Sequence, residues 1–183
     1  MLSRRTIVQT SLAAGTVAGL AGVAMYANWR LAQGPEPADG WWPMAWPFPR
    51  DGWPPGRAWR GHDLEVYVRP KLGFCGNCDT GVVTDEEVDR VTDIDLLDEK
   101  FAPLQEGHRV RITDLLGRAR LYRLKMKDGK PRLAEGIAVS YKCDLVVAIV
   151  LGKVDDEPTA KFAHRFLESN KVQVWVNQQL EGR

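Results

Sequence analysis

Only three cysteines and three histidines occur among 183 residues, and no second Cys-x-x-Cys and no histidine pair is present. A four-ligand zinc site therefore cannot be written from spacing alone. There is no Gly-x-Ser-x-Gly elbow and no glycine-rich phosphate loop, so hydrolase and nucleotide-enzyme readings have no support. Asp93-x-Asp95-x-x-Asp98 lacks the glycine and the spacing of a calcium loop. Internal repeats are absent. Net charge is also scarce, at +1 for the whole chain.

What is present begins with a leader. Arg4 and Arg5 precede an Ala/Gly/Val-rich stretch, from Ile7 to Ala27, with no charged side chain. This is the layout of an export signal rather than of a folded element. Ser3-Arg4-Arg5-Thr6-Ile7-Val8 resembles the twin-arginine signal, whose pattern is Ser/Thr-Arg-Arg-x, two large apolar residues and often Lys. Ile7 stands for the usual Phe, Val8 for Leu and Gln9 for Lys. The general secretory route also accepts a short basic segment before an apolar one, but the weak, alanine- and glycine-dominated hydrophobicity favours the twin-arginine resemblance. It covers only the first thirty or so residues, and implies delivery to the periplasm or to the outer face of the cytoplasmic membrane. Gly22-Val23-Ala24 and Ala32-Gln33-Gly34 offer small residues for cleavage. Left uncut, about 20 weakly apolar residues are just long enough to span a bilayer, with the arginines inside. No cysteine near the end of the stretch provides a lipid anchor.

The sequence divides into 1–32 as signal or uncleaved anchor, 33–61 as an extended segment, and 62–183 as a single domain. Residues 1–32 hold Arg4, Arg5 and Arg30 and no acid, so the remainder keeps 22 of the 25 basic residues against all 24 acids, a formal charge of −2. That balance excludes a nucleic-acid binder. Gly34 to Gly61 contains seven prolines and five tryptophans, Trp41, Trp42, Trp46, Trp53 and Trp59. So many prolines forbid a helix or a paired interior strand and make the segment extended or polyproline-like. Its rings either pack on the domain as a strap or contact a membrane or partner, where an apolar body with a polar N–H suits the interface.

Within 62–183, alternation over His62–Pro70 predicts a strand with Leu64, Val66 and Val68 inward. Thr84 and Glu87 have the spacing of a capping box and predict a short helix to about Val91. Arg109–Thr113 alternates. Tyr122, Leu124 and Met126 alternate with basic residues before Asp128-Gly129, a hairpin signal. The return strand carries Ile137, Val139, Tyr141 and Cys143 on one face, and LVVAIVL, 145–151, reads as a central buried strand. Asp156-Glu157-Pro158 starts a helix with Phe162, Ala163, Phe166 and Leu167 inward. Val172, Trp175, Val176 and Leu180 mark a second helix. The expected class is α+β: an antiparallel sheet of about four to six strands, C-terminal helices on one face, preceded by the Trp/Pro segment.

The chemistry concentrates in Cys75-x-x-Cys78. Asp79 follows where c-type haem attachment needs histidine. A thioredoxin-like centre needs its first cysteine at a helix N-terminus, whereas the predicted helix starts only at Thr84. A metal ion would take Cys75, Cys78, Cys143 and a histidine such as His62. In an oxidising compartment, one disulfide among the three cysteines, Cys75–Cys78 or either of them to Cys143, would be a structural staple, and Cys143 alone could equally be a buried apolar residue. The eight acids between Asp85 and Glu99, and the nine basic residues with two acids between Arg109 and Arg132, read as solvent faces or as a bipolar docking surface.

The sequence thus leads to an exported, non-catalytic accessory subunit or assembly factor for a protein partner in the periplasm or inner membrane. It has no cofactor, and membrane contact is open to its tryptophans. The alternative is a small thiol-redox or metal-binding protein, with one metal ion at a cysteine site.

Overall fold

A computed structural model describes residues 39–49, 52–73, 81–82 and 84–182. The chain divides into two units, Met1–Gly40 and Trp41–Arg183. Of the first, only Asp39 and Gly40 are among the described residues, so the leader lies outside them.

The second unit is α+β. Its strands are β1 (Trp42–Met44), β2 (Arg57–Gly61), β3 (Leu64–Lys71), β4 (Ala102–Pro103), β5 (His108–Ile112), β6 (Leu115–Lys125), β7 (Pro131–Tyr141) and β8 (Asp144–Leu151). They form one antiparallel sheet in the order β1-β2-β3-β8-β7-β6, with β4 and β5 both on the far side of β6. Eight strands exceed the expected four to six. Two of the extra ones come from the Trp/Pro segment. β1 carries Pro43 but is an edge strand, where a missing amide costs no ladder bond. β2 follows the last proline of the segment, Pro55, and is proline-free. It is therefore paired on both sides, against the expectation that this segment holds no interior strand.

Local signals explain most of the rest. His62 and Asp63 both take positive φ, 53° and 61°, as a two-residue type I′ hairpin requires. They form the β2–β3 turn, so the strand starts at Leu64, two residues later than the alternation suggested. The β6–β7 hairpin turns at Asp128-Gly129, with Gly129 at φ 79° and the Lys130 amide donating to the Asp128 carboxylate. β8 lies between β3 and β7 and is buried from Leu145 to Leu151, which is why it is apolar on both faces.

Three helices cover the sheet: α1 (Asp85–Val91), α2 (Glu157–Leu167) and α3 (Asn170–Glu181). Thr84 caps α1 in a complete capping box with Glu87. Asp156 caps α2 ahead of Pro158. α2 and α3 bury Ala163, Phe166, Leu167, Val172, Trp175, Val176 and Leu180 against Val66, Val68, Ile137, Val139, Ala148 and Val150 of the sheet. The opposite face is covered as well. There Val88 and Val91 of α1, Ile94 in the short 3-10 turn after it, and Phe48 pack on Tyr67, Tyr122, Leu124, Val147 and Ile149. The C-terminal helices thus occupy one face as expected, while α1 and part of the Trp/Pro segment cover the other.

Candidate functional site

The cysteine end of the sheet is where β7 turns into β8. Tyr141 pairs with Asp144, so Lys142 and Cys143 alone make the turn, with Lys142 at φ 53°. Cys143 is exposed in that turn, neither on a strand face nor buried. The alternation of β7 simply stops at Tyr141, two residues before it. Cys143 is the only cysteine among the described residues; Cys75 and Cys78 lie outside them. The described chain on either side of them is tied to this same hairpin. The Gly73 amide donates to the Asp144 carboxylate at 2.6 Å, and the Val82 amide donates to the Ser140 hydroxyl at 3.0 Å.

His62, the histidine named as a metal ligand, is not at this end. It sits in the turn before β3, whose Glu65 pairs with Leu151, whereas Cys143 adjoins the start of β8, where Leu145 pairs with Lys71. The length of β8 separates the two, roughly 20 Å at strand rise, so they cannot share one ion. The His62 ring instead packs on Phe162 with centroids 4.2 Å apart. Among the described residues, no group of three or more His, Cys, Asp or Glu side chains is placed to hold a metal.

The tryptophans of the strap differ in their placement. Trp41 and Trp59 are core residues at 2% and 3% exposure. Trp41 stacks on Phe166 at 4.1 Å and on Phe162 at 5.6 Å, and Trp59 meets Phe166 and Trp175 edge-on. Trp46 lies edge-on to Phe48 and Tyr67 on the other face. Gly56 runs beneath it so closely that no side chain fits there. Trp42 and Trp53 are half-buried. Arg69 ties the strap down, donating to the carbonyls of Pro54 and Trp53 and to the Asp93 carboxylate. Lys71 donates to the same carboxylate at 2.5 Å. Both cations are buried, on the face opposite Leu64, Val66 and Val68.

The two charged stretches meet each other. Asp85 pairs with Arg118 and Arg120, and Asp89 pairs with Arg120 at 2.7 Å. Asp89 also accepts from the Tyr122 hydroxyl at 2.6 Å, and Asp98 accepts from the Lys125 amide at 2.7 Å. The amide of Gly107 holds the Asp85 carboxyl below its ordinary range, opposed in part by burial and aided by the Arg118 guanidinium. The amides of Lys125 and Lys100 do the same for Asp98. Burial first, then the bond to Asp89, pushes the Tyr122 hydroxyl up. These contacts seat α1 and the loop after it on β6. Asp85 and Asp89 are thus neutralised by Arg118 and Arg120, while Glu86, Asp95, Glu99, Arg109, Arg111 and Arg123 are exposed, as the solvent-face reading expects.

Sequence reasoning missed one pair. Glu135 on β7 is buried at 3% exposure and lies 2.9 Å from His164 on α2. The hydrogen bond to Glu135, ahead of burial, which opposes it, raises the His164 value above the ordinary histidine range. The signal was a glutamate at a core-facing position of a strand, between Ala134 and Gly136.

No family model matches the chain, and no curated protein matches it in sequence.

Proposed function

We propose that the chain is an exported, non-catalytic accessory subunit or assembly factor, acting on a protein partner in the periplasm or at the outer face of the inner membrane. Its cysteines serve as a structural staple. The observation that supports this reading best is the use made of its chemically capable side chains. Asp85, Asp98, Tyr122 and His164, whose protonation is shifted, each join two elements of the fold. An exposed Cys143 beside two anchored chain ends suits a staple that would hold the segment between Gly73 and Val82 to the β7–β8 hairpin. Cys75 or Cys78 is the proposed partner, since these are the other cysteines of the chain. Because the strap contributes β1 and β2, about a dozen residues separate Ala27, the end of the apolar stretch, from Trp41.

The experiment is purification of the full chain from its own envelope without reductant, followed by native mass spectrometry and peptide mapping. A metal-free mass about two daltons below the fully reduced value, with a partner protein co-purifying, is the expected result. The Cys75→Ser/Cys78→Ser variant is expected to lose stability yet still bind the partner. One observation favours a second reading, thiol exchange: with three cysteines, any single bridge leaves one thiol over. A folded double-serine variant that has lost an activity, or a bound metal ion with free thiols, would replace the first reading with the second.

A further inference from the structure

We propose that the open edge of β5 is this protein's docking strand, and that it receives an extended acidic segment of a partner chain as one more strand of the sheet. The proposal rests on the accessory-subunit reading and names the surface and the partner chemistry that reading needs. Trp41 and Trp59 are buried in the core, and Asp85 and Asp89 are taken up by Arg118 and Arg120, so the surface proposed lies elsewhere, at the sheet edge.

The sheet ends on three strands whose outer sides are not equivalent. β1 is three residues long with Pro43 at its centre, and β4 is two residues ending in Pro103. A proline has no amide to give an added strand. β5 is His-Arg-Val-Arg-Ile, free of proline, and among the described residues it pairs only with β6. A row of amides and carbonyls therefore faces outward along it, the arrangement that accepts an added strand.

Its side chains give the partner's chemistry. Val110 and Ile112 are buried, while Arg109 and Arg111 are exposed on the opposite face. Arg109 stands across from Arg118 and Arg111 from Leu116. Arg118 has Asp85 as its acid, whereas Arg109 and Arg111 form no ion pair among the described residues. Leu116, beside them, is 59% exposed. A strand added to β5 would bring alternate side chains to about 5 Å from the two arginines, where carboxylates are favoured and cations are repelled. Apolar residues between the carboxylates would continue the buried row of Val110 and Ile112. A second copy of this chain is the wrong occupant. Antiparallel self-pairing about Val110 would set Arg109 of each copy against Arg111 of the other, four like charges on one face. Arginines also guard edges against unwanted pairing. The two roles differ in that a guard repels strands in general and a docking strand selects acidic ones.

The test uses the full chain in detergent micelles with fluorescein-labelled octapeptides in which valine alternates with glutamate or with lysine. Binding is read by anisotropy, and amide hydrogen exchange is followed on the same samples. The glutamate peptide is expected to bind about tenfold or more tightly than the lysine peptide and to protect residues 108–112. Arg109→Glu/Arg111→Glu should weaken it by about tenfold with an unchanged melting midpoint, and Arg109→Gln/Arg111→Gln gives the second reading if charge reversal disturbs folding. Equal binding of the two peptides, protection elsewhere, or a dimer that ignores the glutamate peptide overturns the proposal. A partner complex that survives Arg109→Glu/Arg111→Glu in the envelope sinks the edge assignment alone. Absence of any complex with the unaltered chain sinks the accessory reading itself.

Discussion

The two faces of the sheet are covered by different physics. Under α2 and α3 the contact is apolar, with stacked and edge-on rings of Trp41, Trp59, Phe166 and Trp175 over valines and isoleucines. Under α1 the apolar contact is smaller and rimmed by ion pairs. There Asp85 and Asp89 meet Arg118 and Arg120, and Asp93 meets Arg69 and Lys71. A seven-residue helix has too short an apolar stripe to hold its place by burial alone. Its acids, four residues apart, do the rest by reaching arginines two apart on one face of β6. Hydrophobic burial is non-directional, so the first face tolerates repacking. The second depends on each charge keeping its partner.

Removing a ring from the first face should have the largest effect. Trp59→Ala is expected to lower the unfolding free energy by about 4 kcal/mol, read from urea melts with an unchanged slope. On the second face, Asp93→Ala removes the carboxylate shared by the buried Arg69 and Lys71, at an expected cost of about 3 kcal/mol. Asp93→Asn should recover little of it, because an amide keeps the shape and loses the charge. If Asp93→Ala costs no more than a surface substitution, the contrast between the faces fails.

The polar contacts of the two faces should also titrate in opposite directions. Asp85 and Asp98 have lowered folded values, so the stability they give is present above the unfolded carboxylate value, about 4, and is lost as pH falls through the lower folded values. His164 has a raised folded value. Its contribution is complete below the unfolded histidine value, about 6.5, and is lost as pH rises through the folded one. Urea midpoints from pH 3 to 9 check both limbs, and His164→Gln should flatten only the alkaline limb. The exposed cap Asp156 also has a lowered value, held by the Thr159 hydroxyl and then the Thr159 amide, so the acid limb includes a small part from the first face. Smallest of all, Thr84→Ala breaks the capping box of α1 and should cost about 1 kcal/mol.

The first face was readable before the second. Four-residue spacing in 162–180 and the unbroken run of β8 are local patterns, and each names its own buried side. The Asp128-Gly129 turn and the Thr84 cap were readable for the same reason, since each rests on residues adjacent in sequence. The pairing of Asp85 with Arg118 spans 33 residues and depends on which strand α1 lies over. Charge composition therefore showed two opposite stretches without showing that they meet. β2 was hidden by the prolines before it, because their density was averaged over a segment whose last six residues contain none. Cys143 was misplaced by extending an alternation two residues past its end. Glu135 and His164 come from different elements, and neither is unusual until α2 is laid on β7.

The central claim is that α1 is held to β6 by charges that answer each other inside the fold. A double-mutant cycle on Asp85→Ala and Arg118→Ala, read as unfolding free energy in urea, tests it most directly. Coupling of about 1 kcal/mol or more between the two sites, shrinking below pH 4, is the predicted result. Additive effects of the two substitutions would contradict it and make Asp85 and Arg118 independent charges.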